Sequence, residues 1–452
     1  MITSEYSNKL IADSVSATKL QQSRNRRRMV QKLLDYYEGS STNQYIADRF
    51  SAKAFQEVPP SSFNITQRFI DRMARIYTLG AERNVNKAYE DLSVLKNVKM
   101  KHIEKMTTLL GTLATQIVVK EEGDMKYFDY QPIYAFDVHL GEDPFNPIAI
   151  QYPIVQNVDD VSYESVNKLK FAYWDELMYK VFDEDGNILE AYEHGCGCLP
   201  FVFTHKEHQL ESFFATGAED IVNCNETVNI LMTEMDIGMR FQAFSQAVIT
   251  GFYGDEKIKR AGSDEVIVLP EGSNYNLVSP KINMQDAIDL IKTKLDLCAQ
   301  NNHLYVQFAQ DGGETPSGVA LKIKDLSRYE DWQDDLDLYK IYEHKFYAVE
   351  RQLASLYSIK LPEKLKVNFA EPEYPMSIDD QIKLEQHQLT NNLTTEWKIL
   401  QKHNKDLSDT EAQKIVEENR EINSANKENE TEGSRSIFDQ VRQTPESPEQ
   451  QA

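Results

Sequence analysis

Cysteine is scarce: the chain has 452 residues and 4 cysteines, in no regular framework. So few thiols in so long a chain exclude a disulfide scaffold and point to free cysteines in a reducing compartment. Basic residues are also in deficit, with 49 Lys and Arg against 72 Asp and Glu, a net charge of −23. Tight nucleic-acid binding is therefore not expected, because that affinity comes from Lys and Arg displacing counterions from phosphates. A surface past which nucleic acid must slide without sticking is compatible with the same balance. Long apolar runs are missing: uncharged apolar stretches such as 241–254 fall short of the roughly 20 residues that span a bilayer. The opening residues, MITSEYSNKL, hold no basic segment followed by an apolar one, so no signal peptide is expected.

What is present is a hydrophobic share of 41% with 10% aromatics. That is enough for sizeable cores, and it excludes a wholly disordered chain. The length suits roughly two to four domains. Residues 1–23 are polar and mixed, and a frayed terminus is expected. A basic helix follows from Arg24 through Arg26, Arg27 and Arg28 to a stop near Gly39. Such a run is more often a solvated helix end than a nucleic-acid contact. Asn64 should cap a second helix carrying Phe69, Ile70, Met73, Ile76 and Tyr77. A third helix is expected over 92–111. From there to 203 the texture turns to short β-prone runs separated by turn residues, including Asp185-Gly186-Asn187, which reads as one antiparallel sheet flanked by the helices. The fold class is thus α+β and helix-rich.

Helices return at 219–240 and 284–302, with strand-like segments between them. After a glycine-containing loop comes the clearest periodic signal: Val319, Ile323, Leu326, Tyr329, Trp332, Leu336, Tyr339, Tyr342, Phe346, Val349, Leu353 and Leu356 step by three or four. Thr315 and Pro316 suit its cap and first turn, and the helix would run about 60 Å. A strand at 365–369 and helices at 378–389, 394–403 and after Ser408 complete the pattern. The polar tail, 425–452, is expected to be disordered.

No catalytic constellation emerges, and no cofactor or resident metal is expected. Gly313-Glu-Thr-Pro-Ser-Gly318 has the glycine spacing of a phosphate-binding loop, but Val319 and Ala320 stand where Lys and Ser or Thr are needed. His194, Cys196 and Cys198, followed by His205 and His208, are metal-capable. Yet C-x-C is tighter than a zinc pair, and His205-Lys-Glu-His208 reads as solvated. Asp334-Asp335 likewise reads as a solvated helix face.

Collinear motifs over about 25–420 do resemble a known family. They are Asp35-Tyr-Tyr-Glu-Gly39, Ala81-Glu-Arg83, Leu199-Pro-Phe-Val-Phe-Thr-His205, Asp220-Ile-Val-Asn-Cys-Asn225, Gln246-Ala-Val-Ile-Thr-Gly251 and Pro316-Ser-Gly-Val-Ala-Leu-Lys322. In this order they resemble the portal, or head-to-tail connector, proteins of tailed double-stranded DNA bacteriophages. The resemblance implies an elongated subunit with a wing (24–217 and the long helix, 318–360), stem helices (218–243 and 284–302), a clip (244–283), a tunnel loop (303–317) and a helical crown (361–424).

It also implies a ring of identical copies, twelvefold in the virion, at one capsid vertex, assembled in the host cytoplasm. Such rings carry no catalytic site. They dock a terminase large subunit, head-tail adaptor or tail proteins, and major capsid and scaffolding proteins, and involve no membrane. Double-stranded DNA would pass loosely by the tunnel loop, Gln310, Asp311, Gly312, Gly313, Glu314 and Thr315, which has two acids and no Lys or Arg. Asp255, Glu256, Lys257, Lys259 and Arg260 in the clip mix both signs and suit protein docking. Lys292 and Lys294 would face either the lumen or a neighbour. The rival expectations are a nucleotide-dependent enzyme using the Gly313 to Gly318 loop, or a structural or scaffolding virion protein without a channel.

Overall fold

In the computed structural model of this chain, the described residues are 8–12, 21–50, 59–123, 125–154, 170–208, 212–243, 246–250, 274–278, 284–306, 326–370, 378–404 and 407–422. The chain divides into two units, 1–315 with 321–372, and 316–320 with 373–452. About half of the described residues are helical, and every strand pairing among them is antiparallel, as an α+β fold requires.

The N-terminal helices bury one face each. Helix α1 (Gln21–Glu38) turns Leu33 and Tyr36 inward, and a short α2 (Thr42–Ala47) follows. Helix α3 (Ile65–Met73) starts where Asn64 predicts it: the Asn64 Oδ1 accepts the Gln67 N–H at 3.0 Å, and its Nδ2 donates to the Tyr37 carbonyl at 2.8 Å. One side chain thus satisfies a helix start and ties it to the end of α1. Asn64→Ala should cost about 0.5–2 kcal/mol of stability, read by urea unfolding. The helix expected over 92–111 forms over 96–110, and a short helix that was not expected precedes it. Asn86 caps α4 (Lys87–Leu92), the chain turns at Ser93, and α5 (Lys96–Leu110) begins there. A second cap upstream of a continuous apolar pattern is what a reading by periodicity overlooks. Residues 8–12, expected to be frayed, form a helical turn. Its Ile11 is buried with Ala149, Phe171, Tyr173 and Phe182.

The expected single sheet is two. The smaller has the order β3-β2-β9, from β2 (Thr112–Glu122), β3 (Met125–Ile133) and β9 (Phe201–His205). The larger is a meander, β4 (Asp137–Leu140), β5 (Pro147–Ile154), β6 (Lys170–Trp174), β7 (Met178–Asp183) and β8 (Ile188–Glu193). The split arises because β9 does not extend the meander but returns to β2. The β7–β8 turn forms at the expected Asp-Gly-Asn, where the Asp183 carboxylate accepts the Asp185 and Asn187 N–H groups. Ala114, Phe136, Ile150, Phe201 and Phe213 fill a core joining the two sheets. A two-stranded ribbon pairs β1 (Ala81–Asn84) with β12 (Lys366–Phe369), which holds the residues after the long helix to the first unit.

Helix α6 (Glu219–Ala243) and helix α7 (Met284–Asn301) pack antiparallel, since Asp220 meets Asn302 and Cys224 meets the Lys294 carbonyl. Between them β10 (Gln246–Thr250) pairs with β11 (Asn274–Val278). Helix α6 is seated by a polar ladder at helical spacing. Buried Asn225 donates to Thr66, Asn229 exchanges hydrogen bonds with the backbone of Phe63, and Thr233 accepts from the Ser61 N–H. Helix α8 (Leu326–Leu356) has 31 residues, about 46 Å at the usual rise. It packs on β2, β9 and β12, with Tyr339, Tyr342, Phe346 and Leu353 buried.

In the second unit, α9 (Ile378–Thr390) and α10 (Glu396–His403) precede a helical stretch over 409–422. Ser408 caps that stretch as its sequence predicts. The Glu411 N–H donates to the Ser408 hydroxyl, and Glu411 in return accepts the Ser408 N–H at 3.0 Å, a reciprocal capping box. None of the helices among the described residues is long and apolar enough to cross a membrane.

Candidate functional site

Of the residues singled out by sequence, Gln310, Asp311, Gly312, Gly313, Glu314 and Thr315, and Asp255, Glu256, Lys257, Lys259 and Arg260, lie outside the described residues. Lys292 and Lys294 are on α7, each half-buried. The helices on either side of 307–325, α7 and α8, are described, and they meet through His303 and Asp331.

Helix α7 stops at His303, which adopts a left-handed backbone (φ 51°) so that the Leu304 N–H can bond the Ala299 carbonyl at 2.7 Å. The turn presents the His303 imidazole to α8, with Nδ1 2.7 Å from the Asp331 carboxylate. A cavity of about 410 Å³ opens beside this contact, lined among others by Arg75, Glu104, Lys206, Arg328 and Asp335. Glu104 sits on α5 at 2% exposure, its two oxygens accepting the Ile76 and Tyr77 N–H groups at 2.7 and 3.0 Å. Burial outweighs those bonds and pushes its pKa up to about 7. Asp335 is pushed up to about 7 as well, by burial and then by the Asp331 carboxylate. The expectation of a solvated Asp334-Asp335 face holds for Asp334, which is exposed, and is corrected for Asp335, which is partly covered and lines the cavity beside Glu104.

Both groups thus have folded pKa values above their unfolded ones. Their contribution to stability is fully present below about pH 4 and is lost as pH rises through about 7. Unfolding free energy should fall by roughly 3 kcal/mol per group across that window. Urea titrations at pH 5 and 7.5 read this slope, and Glu104→Gln should flatten it.

A second ionic group lies deeper and was not anticipated. Glu343 and Glu350, one heptad apart on α8, are both fully buried. The Lys96 Nζ reaches Glu343 at 3.2 Å and Glu350 at 2.8 Å, and Arg83 reaches Glu343 at 2.6 Å. Tyr77 donates to Glu343, while Tyr89 and Tyr130 donate to Glu350. Despite burial, the neighbouring Lys96 and Arg83 hold the Glu343 carboxyl down, at about 2. The sequence did carry a signal. Both acids fall on the same heptad face as Tyr339, Tyr342, Phe346 and Leu353, where a solvated Glu does not belong. The group clamps α8 to α4, α5, β1 and β3, and its chemistry is that of a fastener.

The histidines and cysteines near β8 and β9 do not converge. The His194 Nε2 meets the Asp175 carbonyl at 2.9 Å, and its Nδ1 accepts the Cys196 N–H at 3.2 Å, so both ring nitrogens are engaged. His205 was expected to be solvated and is instead 5% exposed at the end of β9. Its Nδ1 bonds Thr112, and its backbone bonds the Tyr342 hydroxyl. Burial and Lys345 lower its pKa to about 4. Among the described residues, no group of three or more His, Cys, Asp or Glu could hold a metal. No protein-family model matches the chain, and no curated protein is significantly similar to it.

Proposed function

We propose that this chain is the repeating subunit of a phage-type portal, a ring that forms a passage for double-stranded DNA at one capsid vertex. The observation that carries the reading is the helix–ribbon–helix excursion formed by α6, the β10–β11 pair and α7. Its two helices lie beside each other where Asp220 meets Asn302, and the long helix α8 is the next described element in the chain. A helix, paired strands, a second helix and a long helix in this order are compatible with the stem, clip, stem and wing helix that the motif resemblance implies. The excursion also exposes apolar side chains that a lone monomer leaves wet. Met239 on α6 is 52% exposed, and Ile288, Leu290 and Leu297 on α7 are 37, 46 and 55% exposed. Neighbouring copies closing head to tail would cover such a surface.

In this reading residues 244–283 dock a terminase large subunit during filling and adaptor or tail proteins afterwards. The outer surface meets major capsid and scaffolding proteins. The acidic chain and the loop 310–315 keep the duplex from sticking, since each phosphate neutralised would slow its passage.

Electron microscopy of the purified full-length protein tests the reading: rings with a central hole are expected. A monomer at all concentrations, or oligomers with a filled centre, would sink it. Deleting 311–314 should leave rings intact and lower DNA packaging or retention. If ring formation fails instead, the loop belongs to the assembly contact and not to the passage.

A further inference from the structure

The helical turn 8–12 is seated on one face of the β4–β8 meander through two apolar side chains and an amide. Ile11 is buried and Leu10 half-buried, while Asn8, Lys9 and Ala12 stay exposed. Ile11 fills a cup of Ala149, Phe171, Tyr173 and Phe182, drawn from β5, β6 and β7. The Asn8 Oδ1 accepts a hydrogen bond from the Lys180 ammonium at 2.8 Å. Lys180 is 2% exposed, with the Asp175 carboxylate also favouring its charge. It belongs to a polar row on that face: Asp137, Gln151, Tyr173 and Lys180 pair directly across β4, β5, β6 and β7, and all four are buried. Helix α1 satisfies the first member through Ser23 and Arg26. Gln151 is 1% exposed, and neither its amide nitrogen nor its amide oxygen has a hydrogen-bond partner. The cover on this face thus gives a buried ammonium a neutral acceptor and leaves a buried amide unpaired, and unmade bonds in such a place are costly.

We propose that this face of the meander is a docking site for a short acidic helical segment of a partner protein, and that residues 8–12 occupy it as a displaceable plug. The plug itself shows what fits: one helical turn with a branched aliphatic side chain in the aromatic cup, and a hydrogen-bond acceptor three residues before it, at Lys180. Charge favours an acid at that acceptor position. A carboxylate bonded to a buried ammonium makes a stronger hydrogen bond than the neutral Asn8 amide does. With the plug gone the face presents Lys180 together with Arg27, whose guanidinium lies 5.9 Å over the Phe171 ring. The hold on the plug suits exchange. Burial of Ile11 and one amide hydrogen bond are set against the ordering of a five-residue turn, and these terms are of similar size. The tether through 13–20 to α1 keeps the plug near its site, so a partner segment must outcompete a local rival.

The inference needs only the contact of 8–12 with the meander, so it stands apart from the portal reading. The test uses the full chain carrying Ile11→Ala, which loosens the plug and leaves the cup intact. A fluorescent peptide of residues 1–20 is titrated against this chain and against the parent, and binding is followed by anisotropy. The peptide should bind the Ile11→Ala chain at least tenfold more tightly than the parent, whose own plug competes. An Asn8→Asp peptide should bind at least threefold more tightly still, and that gain should vanish when the chain also carries Lys180→Gln. An Ile11→Ala peptide should bind at least tenfold more weakly than the unaltered one. Hydrogen exchange on the unmutated chain gives a second reading. Excess Asn8→Asp peptide should speed exchange in the chain's own residues 8–12 at least tenfold and leave β5, β6 and β7 protected. No binding to the Ile11→Ala chain, equal binding to the parent, no gain from Asn8→Asp, or an unchanged exchange rate at 8–12 would overturn the proposal.

Discussion

Replacing Lys96 with Met should destabilise the protein by about 3–5 kcal/mol, because two fully buried carboxylates lose the one ammonium they share. The methionine fills most of the volume that the lysine stem occupied, so lost packing is a small part of the cost. What remains is Glu343 with only Arg83 and Tyr77, and Glu350 with only the Tyr89 and Tyr130 hydroxyls. An uncompensated charge in such a place must either stay ionised at high cost or take up a proton. The variant's stability should therefore go on rising with acid below about pH 4.5, where the parent's falls. In the parent, Glu343 has a folded pKa of about 2, below its unfolded value. Its contribution, roughly 3 kcal/mol, is present above about pH 4.5 and disappears as pH drops through about 2. Denaturant midpoints between pH 3 and 7 separate the two proteins. A Lys96→Met protein within 1 kcal/mol of the parent at pH 7 would mean that the cluster is not the fastener described. Replacing Lys96, Glu343 and Glu350 together by apolar residues should recover most of the loss, since a removed network leaves no charge stranded.

The acid windows of Glu343 and of the Glu104 and Asp335 pair are complementary. Below about pH 4.5 the first dominates and stability falls with acid, while between about 4 and 7 the second dominates and stability falls with base. A stability maximum near pH 4.5 follows, on the acid side of neutrality.

The parts of this fold visible in the sequence are those whose cause is local. The Asn64 cap, the Ser408 and Glu411 box, the Asp185-Gly186-Asn187 turn and the stride of α8 each rest on residues within a few positions of one another. Periodicity also says which face of α8 points inward. It does not say what that face meets. Glu343 lands on Lys96 and Arg83, and Asp335 lands beside Glu104, only because β1, α4 and α5 fold back onto α8. Reading Asp335 or His205 as solvated applied a correct average to positions where a distant element covers the side chain. Three strand-prone runs were legible between α6 and α7: the first and third pair as β10 and β11, and the second, 265–269, lies outside the described residues.

Gly111→Ala should be the most damaging single methyl group in the described chain, costing roughly 3–6 kcal/mol from backbone strain and overpacking together. Gly111 ends α5 with φ +78°, a conformation that side chains rarely adopt. A Cβ there would stand 2.4 Å from the Ala215 carbonyl oxygen and 2.7 Å from the Gly217 nitrogen. Both are backbone atoms and cannot swing away. They cannot shift as a group either, because the segment is stitched in place. The Ala218 N–H donates to the Leu109 carbonyl at 2.8 Å, the Ala215 N–H to the Thr112 hydroxyl at 2.8 Å, and the Lys206 N–H to the Gly111 carbonyl at 2.8 Å. Gly217 faces the same junction from the other side, its own Cβ position lying 2.5 Å from the Leu109 oxygen. Here the α5–β2 turn fixes where α6 leaves the body, so the damage should reach α6 as well as the core. Gly123→Ala isolates the strain component. That residue has φ +61° with open space around it, and it should cost only about 1 kcal/mol. If the two alanine variants unfold at the same denaturant concentration, the close contact at Gly111 is not what holds α6. If Gly111→Ala unfolds far earlier and also fails to form rings while Gly123→Ala assembles normally, the seating of α6 and the assembly of copies are one structural problem.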